Sequence, residues 1–473
     1  MSTVNKNEQT ICALATPSGS GAISIVRLSG SAALDIILLA CPGLALKKIE
    51  SHRVYFTKFK NNLNENIDEV LVTYFANKKS YTGETSVEIS GHGNALVVEK
   101  ILNRLYQLGA RSAERGEFTY RAFMNDKIDL VQAEAVLSLI EAQSEGALRV
   151  SLRQLEGHAS EQFLNMESEI IWCLAHIEAS IDFSTEGLDV VDEKILIKKI
   201  TQIKEQLEKT IATYSSGKIL KEGLKIVFTG QPNVGKSSLL NQVVEKNKAI
   251  VTSVAGTTRD VIEAATIYKN IKMIVCDTAG LRDTKDVVEK IGIEKSLAEA
   301  TTADVCLFVF DGSKGFTTED EKLFLQMPNQ FYLFIANKWD TVSVLSKPIL
   351  KEQIVQKIKS FSAKLLDTAA EPIAFVSALD LSCRDIVLGQ VMGLFNNLDF
   401  LNESIISSAR QFEMSQDARL AISAVLQELG QKTGSEFVAQ TLKSALLSVQ
   451  KILGHSFDDQ VMDRVFKEFC IGK

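Results

Sequence analysis

The chain has 473 residues, 45% of them hydrophobic, and a formal net charge of −7. That length and apolar share predict two to four buried cores, and the acid excess excludes a polycation that grips nucleic acid over its whole surface. No stretch reaches the roughly eighteen consecutive apolar residues of a membrane span.

The opening Met1-Ser-Thr-Val-Asn-Lys-Asn-Glu8 lacks the apolar core of a secretory leader and carries an acid. Seven cysteines, at 12, 41, 173, 276, 306, 383 and 470, form no Cys-x-x-Cys pair. Scattered and odd in number, they predict reduced thiols in a cytoplasmic protein and not a disulfide frame or zinc site.

Before Asp129 the texture is β-rich. Short apolar runs such as Ala22-Ile-Ser-Ile-Val-Arg27 and Glu69-Val-Leu-Val-Thr-Tyr-Phe75 alternate with Gly-Ser and Asn turns. From Leu130 to about Lys221, Leu130, Ala133, Leu137 and Ile140 recur at helical spacing on polar flanks. No proline falls between 43 and 231 or after 372. Between Leu224 and about Ala378, apolar strands alternate with helical stretches, the sign of a parallel α/β sheet. From Asp385 to Phe469 the helical texture returns. The expected fold is multidomain: an α+β domain over 1–128, an all-α helical domain from two segments, 129–222 and 385–473, and an inserted α/β P-loop domain over 223–384.

The insert carries the chemistry. Leu224-Lys-Ile-Val-Phe-Thr229 leads into Gly230-Gln-Pro-Asn-Val-Gly-Lys-Ser237, a P-loop in its strand–loop–helix context. Its backbone N–H groups face the α/β-phosphates, Lys236 reaches the β/γ-phosphates and the Ser237 hydroxyl binds Mg²⁺. Met273-Ile-Val-Cys-Asp-Thr-Ala-Gly280 ends a second strand in Asp277, which can hold a Mg²⁺ water, and Gly280, whose N–H follows the γ-phosphate. Tyr332-Leu-Phe-Ile-Ala-Asn-Lys-Trp-Asp340 ends a third. There the Asp340 carboxylate accepts from guanine N1 and its exocyclic amine, a donor pair adenine lacks. Phe375-Val-Ser-Ala-Leu379 supplies the other base-side loop, and a Thr in Gly256-Thr-Thr-Arg-Asp260 completes the Mg²⁺ shell.

Together these define a GTPase domain. Its expected GTP contacts are Asn233, Val234, Gly235, Lys236, Ser237 and Ser238; Gly256, Thr257 and Thr258; Asp277, Thr278, Ala279 and Gly280; Asn337, Lys338, Trp339 and Asp340; Ser377 and Ala378. Leu281 stands where Ras-like proteins place a water-positioning glutamine. A polar group must come from elsewhere, and Arg282 to Glu289 offers either a catalytic side chain or only a solvated helix face. Asn233 likewise binds phosphate or a cation through its amide, or merely shapes the turn.

These four motifs resemble the TrmE–Era–EngA group of GTPases. The flanks narrow the resemblance: Ala15-Thr-Pro-Ser-Gly-Ser-Gly-Ala22, Tyr81-Thr-Gly-Glu84, Gly91-His-Gly93, Gly116-Glu-Phe118, Arg121-Ala-Phe123, Asn125-Asp-Lys-Ile-Asp129 and Cys470-Ile-Gly-Lys473 look like the MnmE (TrmE) family of tRNA wobble-uridine modification GTPases. The match runs from end to end.

The resemblance implies a potassium-stimulated GTPase whose G domains pair across a homodimer. It extends the GTP contacts to Thr252, Ser253, Val254 and Ala255, and places K⁺ on Asn233, Thr252, Val254 and Thr257, Mg²⁺ on Ser237 and Thr258, and the water-positioning acid at Glu289. It implies that the N-terminal domain dimerises and binds 5-formyl- or 5,10-methylene-tetrahydrofolate through Arg27, Glu88 and Lys127, with Lys473 arriving from the C-terminus. It also implies that Cys470 is needed for modification, as a thiolate nucleophile or in an undefined role. The implied partners are tRNA and the flavoprotein MnmG (GidA), with no membrane, and the implied product is an aminomethyl or carboxymethylaminomethyl group on C5 of U34.

Two departures touch none of these positions: Arg115 replaces a proline before Gly-Glu-Phe, and Ile181 to Glu186 alters an acidic turn. Two other readings compete. A ribosome-assembly switch of the Era or EngA kind would need a KH-like Gly-x-x-Gly loop or a second P-loop, and neither is present. A folate-dependent aminomethyltransferase with a regulatory G domain would work without the flavoprotein.

Overall fold

A computed structural model of the chain describes residues 9–44, 48–182, 193–244, 263–276, 300–327, 331–361, 373–395 and 405–473. The chain divides into two compact units. One comprises Met1–Ile140, Arg153–Leu207 and Glu413–Lys473, the other Glu141–Leu152 and Glu208–Phe412.

The first unit holds a six-stranded sheet built from β1 (Ile11–Leu14), β2 (Ile23–Ser29), β3 (Val54–Lys60), β4 (Asn66–Phe75), β5 (Ser86–His92) and β6 (Arg111–Ser112). Their order is β3-β4-β5-β2-β1-β6, antiparallel except for the β1–β6 pair. Alternation along β2 and β5 sends Val26, Leu28, Val87 and Ile89 into a core with Ile36, Ile37, Ile101 and Leu105 of the helices Ala33–Ala40 and Ala95–Gln107. The residues between them, Arg27 and Glu88, therefore face the other way.

The same unit contains the long helices His158–Asp182 and Ser435–Leu453, which pack side by side. Phe163, Ile170, Leu442 and Val449 are fully buried, each worth about 2 kcal/mol relative to exposure. The helix Leu130–Glu141 starts on a reciprocal cap: the Asp129 N–H donates to Gln132 Oε1 at 3.0 Å, and the Gln132 N–H donates to Asp129 Oδ1 at 2.9 Å.

The second unit carries a sheet of β7 (Leu224–Thr229), β8 (Glu263–Tyr268), β9 (Ile271–Cys276), β10 (Val305–Asp311), β11 (Phe331–Asn337) and β12 (Ile373–Phe375). Its order is β12-β11-β10-β7-β9-β8, parallel except for the β8–β9 hairpin. Both faces are covered. Ile226, Phe228, Leu307, Val309 and Ile335 enter one core, and Val227, Cys306, Phe308, Phe310 and Phe334 enter the other. This explains why the strands read as unbroken apolar runs, since a central parallel strand has no wet side. The helix Cys383–Gly393 runs through the 384/385 boundary of the sequence reading and buries Cys383, Val387, Leu388 and Val391 in the first of these cores. Among the described residues, no helix is long and apolar enough to cross a membrane.

Candidate functional site

The chain runs from β7 to β8 and β9 on one side of the sheet and then places β10 on the other. The carboxyl end of β7 is thus a topological switch point, where open α/β sheets bind ligands. The P-loop leaves β7 there and ends in the helix Lys236–Val244, and the N-terminal end of a helix favours an anion. Gly235 has φ +95°, and a Cβ on it would lie 2.3 Å from Asn337 Nδ2. Only glycine fits this close approach. Lys236 Nζ lies across the loop, donating to the carbonyls of Gly230 at 2.8 Å and Gln231 at 2.7 Å. Asn233, Ser237 and Ser238 are exposed at the loop, and Val234 is buried beneath it.

The base-side loops are tied to this loop through the Asn-Lys-x-Asp segment. Asn337 is 1% exposed. Its Nδ2 donates to Val234 O at 2.8 Å, and its Oδ1 accepts from the Ala378 N–H at 3.0 Å. Lys338, in a left-handed backbone conformation, donates from Nζ to Asn233 O and to Asp311 Oδ2, both at 2.9 Å. The Trp339 N–H donates to Val376 O at 3.1 Å. Asp340 stays exposed and Ser377 half-buried, leaving the Asp340 carboxylate open to a base. Thr252, Ser253, Val254, Ala255, Gly256, Thr257, Thr258, Asp277, Thr278, Ala279, Gly280 and Glu289 lie outside the described residues.

Sequence reasoning missed Asp311. It ends β10, and burial pulls its carboxyl upward. Hydrogen bonds from Ser313 and Lys338 outweigh that and hold it below the usual carboxylate range. The signal was available: the apolar run Val305–Phe310 stops at Asp-Gly-Ser, an acid at a strand end.

The N-terminal sheet has its own polar centre. Arg27 and Glu88 are register partners on β2 and β5. The guanidinium donates to Glu88 Oε1 from Nε at 3.0 Å and from Nη2 at 2.8 Å. Both bonds fall on one oxygen, so among the described residues Oε2 keeps its acceptor capacity. The rings of Tyr81 and Phe118 lie 5.5 and 5.7 Å from the Arg27 guanidinium carbon. Burial raises the Tyr81 hydroxyl pKa, against the opposing effects of its Thr119 hydrogen bond and the Arg27 charge.

The segment 470–473 comes to the same domain. The Phe118 N–H donates to Lys473 O at 3.2 Å, the Gly116 N–H donates to Cys470 O at 3.4 Å, and Arg115 bridges Ile471. Gly472 has φ +94°, and a Cβ there would lie 2.1 Å from Leu14 O. Of the seven cysteines only Cys470 is exposed; burial pushes Cys12, Cys41 and Cys306 up to about 12. Lys467 Nζ pairs with Asp463 at 2.9 Å. Lys127 is exposed and donates to Lys78 O at 3.0 Å. Arg27, Glu88 and the 473 backbone are thus gathered around Phe118, while the Lys127 ammonium is held on the loop at Lys78.

Much of the remaining motif pattern is a buried clamp. Arg121 has 5% of its side chain exposed and donates to Glu84, Glu117 and Gln9 O at 2.9, 3.0 and 2.8 Å. Asn125 Nδ2 donates to Thr82 O at 2.8 Å. These bonds hold the Tyr81–Glu84 loop, and with it the Tyr81 ring over Arg27.

The fold and loop contacts define a P-loop nucleotide-binding protein of the GTPase class, joined to an α+β domain and long helices. The profile of the MnmE helical domain matches residues 130–470, and that of the GTP-binding protein TrmE N-terminus matches 10–127. The chain is 46% identical over 474 aligned positions to the tRNA modification GTPase MnmE of Bdellovibrio bacteriovorus, covering 99% of this chain and 98% of that protein. It is 36% identical to the MnmE of Fervidobacterium nodosum, again over 99% and 98%, and 37% identical to that of Alkaliphilus metalliredigens, over 98% and 99%. The chain belongs to the MnmE family of tRNA modification GTPases.

Proposed function

We propose that the protein hydrolyses GTP to drive, with the flavoprotein MnmG (GidA), the addition of an aminomethyl or carboxymethylaminomethyl group to C5 of U34 in certain tRNAs. The observation that carries this reading is the full-length match to MnmE relatives, with a TrmE-type N-terminal domain and a P-loop unit in one chain.

At the nucleotide, the loop N–H groups and the 236–244 helix end cradle the phosphates, and Lys236 moves from the loop carbonyls to the β/γ-phosphates. The exposed Ser237 hydroxyl suits Mg²⁺, together with Thr258. The exposed Asn233 amide suits K⁺, together with Thr252, Val254 and Thr257, and Glu289 orients water. The cations supply neutralisation of the charge that develops on the phosphates. Asp340 selects the base. The G domains of a homodimer pair in the GTP state.

At the N-terminal sheet, Glu88, held and oriented by Arg27, would take the amide-and-amine edge of a tetrahydrofolate. Lys127 and Lys473 offer cations to the folate's glutamate tail. The folate supplies the one-carbon unit. Cys470, beside this face, is the thiol available to substrate chemistry. GTP energy then drives rearrangement and not activation of the base, as in other order–disorder switches.

The test is the nucleoside profile of tRNA from a strain lacking the gene. Loss of C5-modified U34, restored by the wild-type gene, is expected; an unchanged profile would sink the proposal.

A further inference from the structure

The strands β10 and β11 end level with one another, with Asp311 opposite Asn337 in the register. The turn after β10 then closes over the Asn-Lys-Trp-Asp segment. The Gly312 N–H donates to Asn337 O at 2.7 Å. A Cβ on Gly312 would lie 2.9 Å from that oxygen and 3.1 Å from Trp339 Cε3, so a larger residue would push the turn off the segment. Asp311 is oriented from its own side of this contact. Its Oδ1 accepts from the Ser313 N–H at 3.1 Å and from the Ser313 hydroxyl at 2.6 Å, which leaves Oδ2 for the Lys338 ammonium at 2.9 Å.

Lys338 divides its ammonium between that carboxylate and Asn233 O in the P-loop, the second bond also at 2.9 Å. Both residues of this second bond have left-handed backbones, with φ +60° at Asn233 and at Lys338, a conformation that side-chain-bearing residues seldom adopt. An ion pair that only tied β10 to β11 would add little, since seven register pairs from Val305–Phe331 to Asp311–Asn337 already join them. Its effect falls on the lysine. The Asp311 side chain is 13% exposed and that of Lys338 39%, so the pair is partly withdrawn from water, where opposite charges attract more strongly than at an open surface. An ammonium at the end of a long flexible stem loses little by swinging away unless a partner holds it. Ser313, Asp311, Lys338 and the P-loop backbone thus form one hydrogen-bonded chain.

We propose that Asp311 is a positioning residue for the nucleotide: it holds Lys338 against the Asn233 carbonyl of the P-loop and so sets how long a guanine nucleotide stays bound. The inference rests on the GTPase class of this unit. Losing a hydrogen bond to a charged group changes a binding constant by about tenfold to a hundredfold, and the lower end is expected where the bond acts through a second side chain. A contact made equally in the ground and transition states changes KM and leaves kcat alone.

The test is release of a fluorescent GDP from the purified full-length protein, with steady-state GTP hydrolysis alongside. It compares wild type, Asp311→Ala, Asp311→Asn, Lys338→Met and the double variant Asp311→Ala with Lys338→Met, and thermal melts give the folded fraction of each. Asp311→Ala should release GDP about tenfold faster and raise the GTP KM about as much, with kcat within about threefold of wild type. Asparagine keeps an acceptor oxygen but not the charge, so Asp311→Asn should fall between the two. Because Asp311 acts through Lys338, the double variant should release GDP within about twofold of Lys338→Met alone. A residue that only stabilised the sheet would lower the melt, and its effect on release would multiply with that of Lys338→Met. Should Asp311→Ala fail to fold, Asp311→Asn carries the test, alone and combined with Lys338→Met. Wild-type GDP release from a folded Asp311 variant, or effects that multiply in the double variant, would overturn the inference and leave the GTPase class standing. A wild-type protein that binds no guanine nucleotide would overturn both.

Discussion

The nucleotide loops and the N-terminal sheet face gather their polar groups by opposite means. At the nucleotide, the groups that matter are backbone N–H donors and short side chains at successive strand ends, each in a contiguous motif. On the N-terminal face, the central pair is 61 residues apart in sequence and meets only because β2 and β5 run antiparallel in the register that sets Arg27 opposite Glu88. A loop-borne site can be read locally, whereas a face-borne site is a product of register.

The contrast predicts different failures. Lys236→Ala removes a charge from the loop and leaves the fold in place, so GTP turnover should fall by about a hundredfold to a thousandfold with the thermal melt unchanged. On the N-terminal side the largest effect should be structural. Arg121→Met leaves the carboxylates of Glu84 and Glu117 without the cation that joins them, and breaking such a buried network costs about 3 to 5 kcal/mol. Urea unfolding followed by tyrosine and tryptophan fluorescence reads it, and a loss below about 1 kcal/mol would mean that water replaces the guanidinium.

A smaller effect follows from pH. Burial raises the Glu117 carboxyl, but the hydrogen bonds from Arg111 and the Glu114 N–H, with the charges of Arg121 and Arg111, bring it below its usual 4.5. A depressed carboxylate contributes stability fully above the unfolded value and loses it as pH falls through the folded value. Glu117→Gln should therefore flatten the acid limb of the stability curve below about 4.5 and leave its slope near neutrality unchanged.

Much was legible in the residues themselves. The strands β7, β9 and β11 fall on the apolar runs at 224–229, 273–276 and 332–337, and the helix at Leu130 follows from its spacing. The Arg121 clamp was visible only as motif residues without a role, because its partners at 9, 84 and 117 come together through the sheet and not through spacing. Arg384 was illegible too: its guanidinium donates to Val243 O, Ile267 O and Thr266 Oγ1, and backbone oxygens carry no residue identity. The Arg27–Glu88 pairing depended on a register that alternation alone does not supply.

The central claim is that the two regions divide the work, the P-loop unit timing a reaction carried out at the N-terminal face. It is tested most directly by Arg27→Ala in a reconstituted reaction containing MnmG, tRNA, GTP and a tetrahydrofolate donor, with GTP turnover and C5-modified U34 measured in the same tube. The account predicts GTP turnover within about twofold of wild type and loss of modified U34. Undiminished modification, or turnover that falls in step with it, would contradict that division.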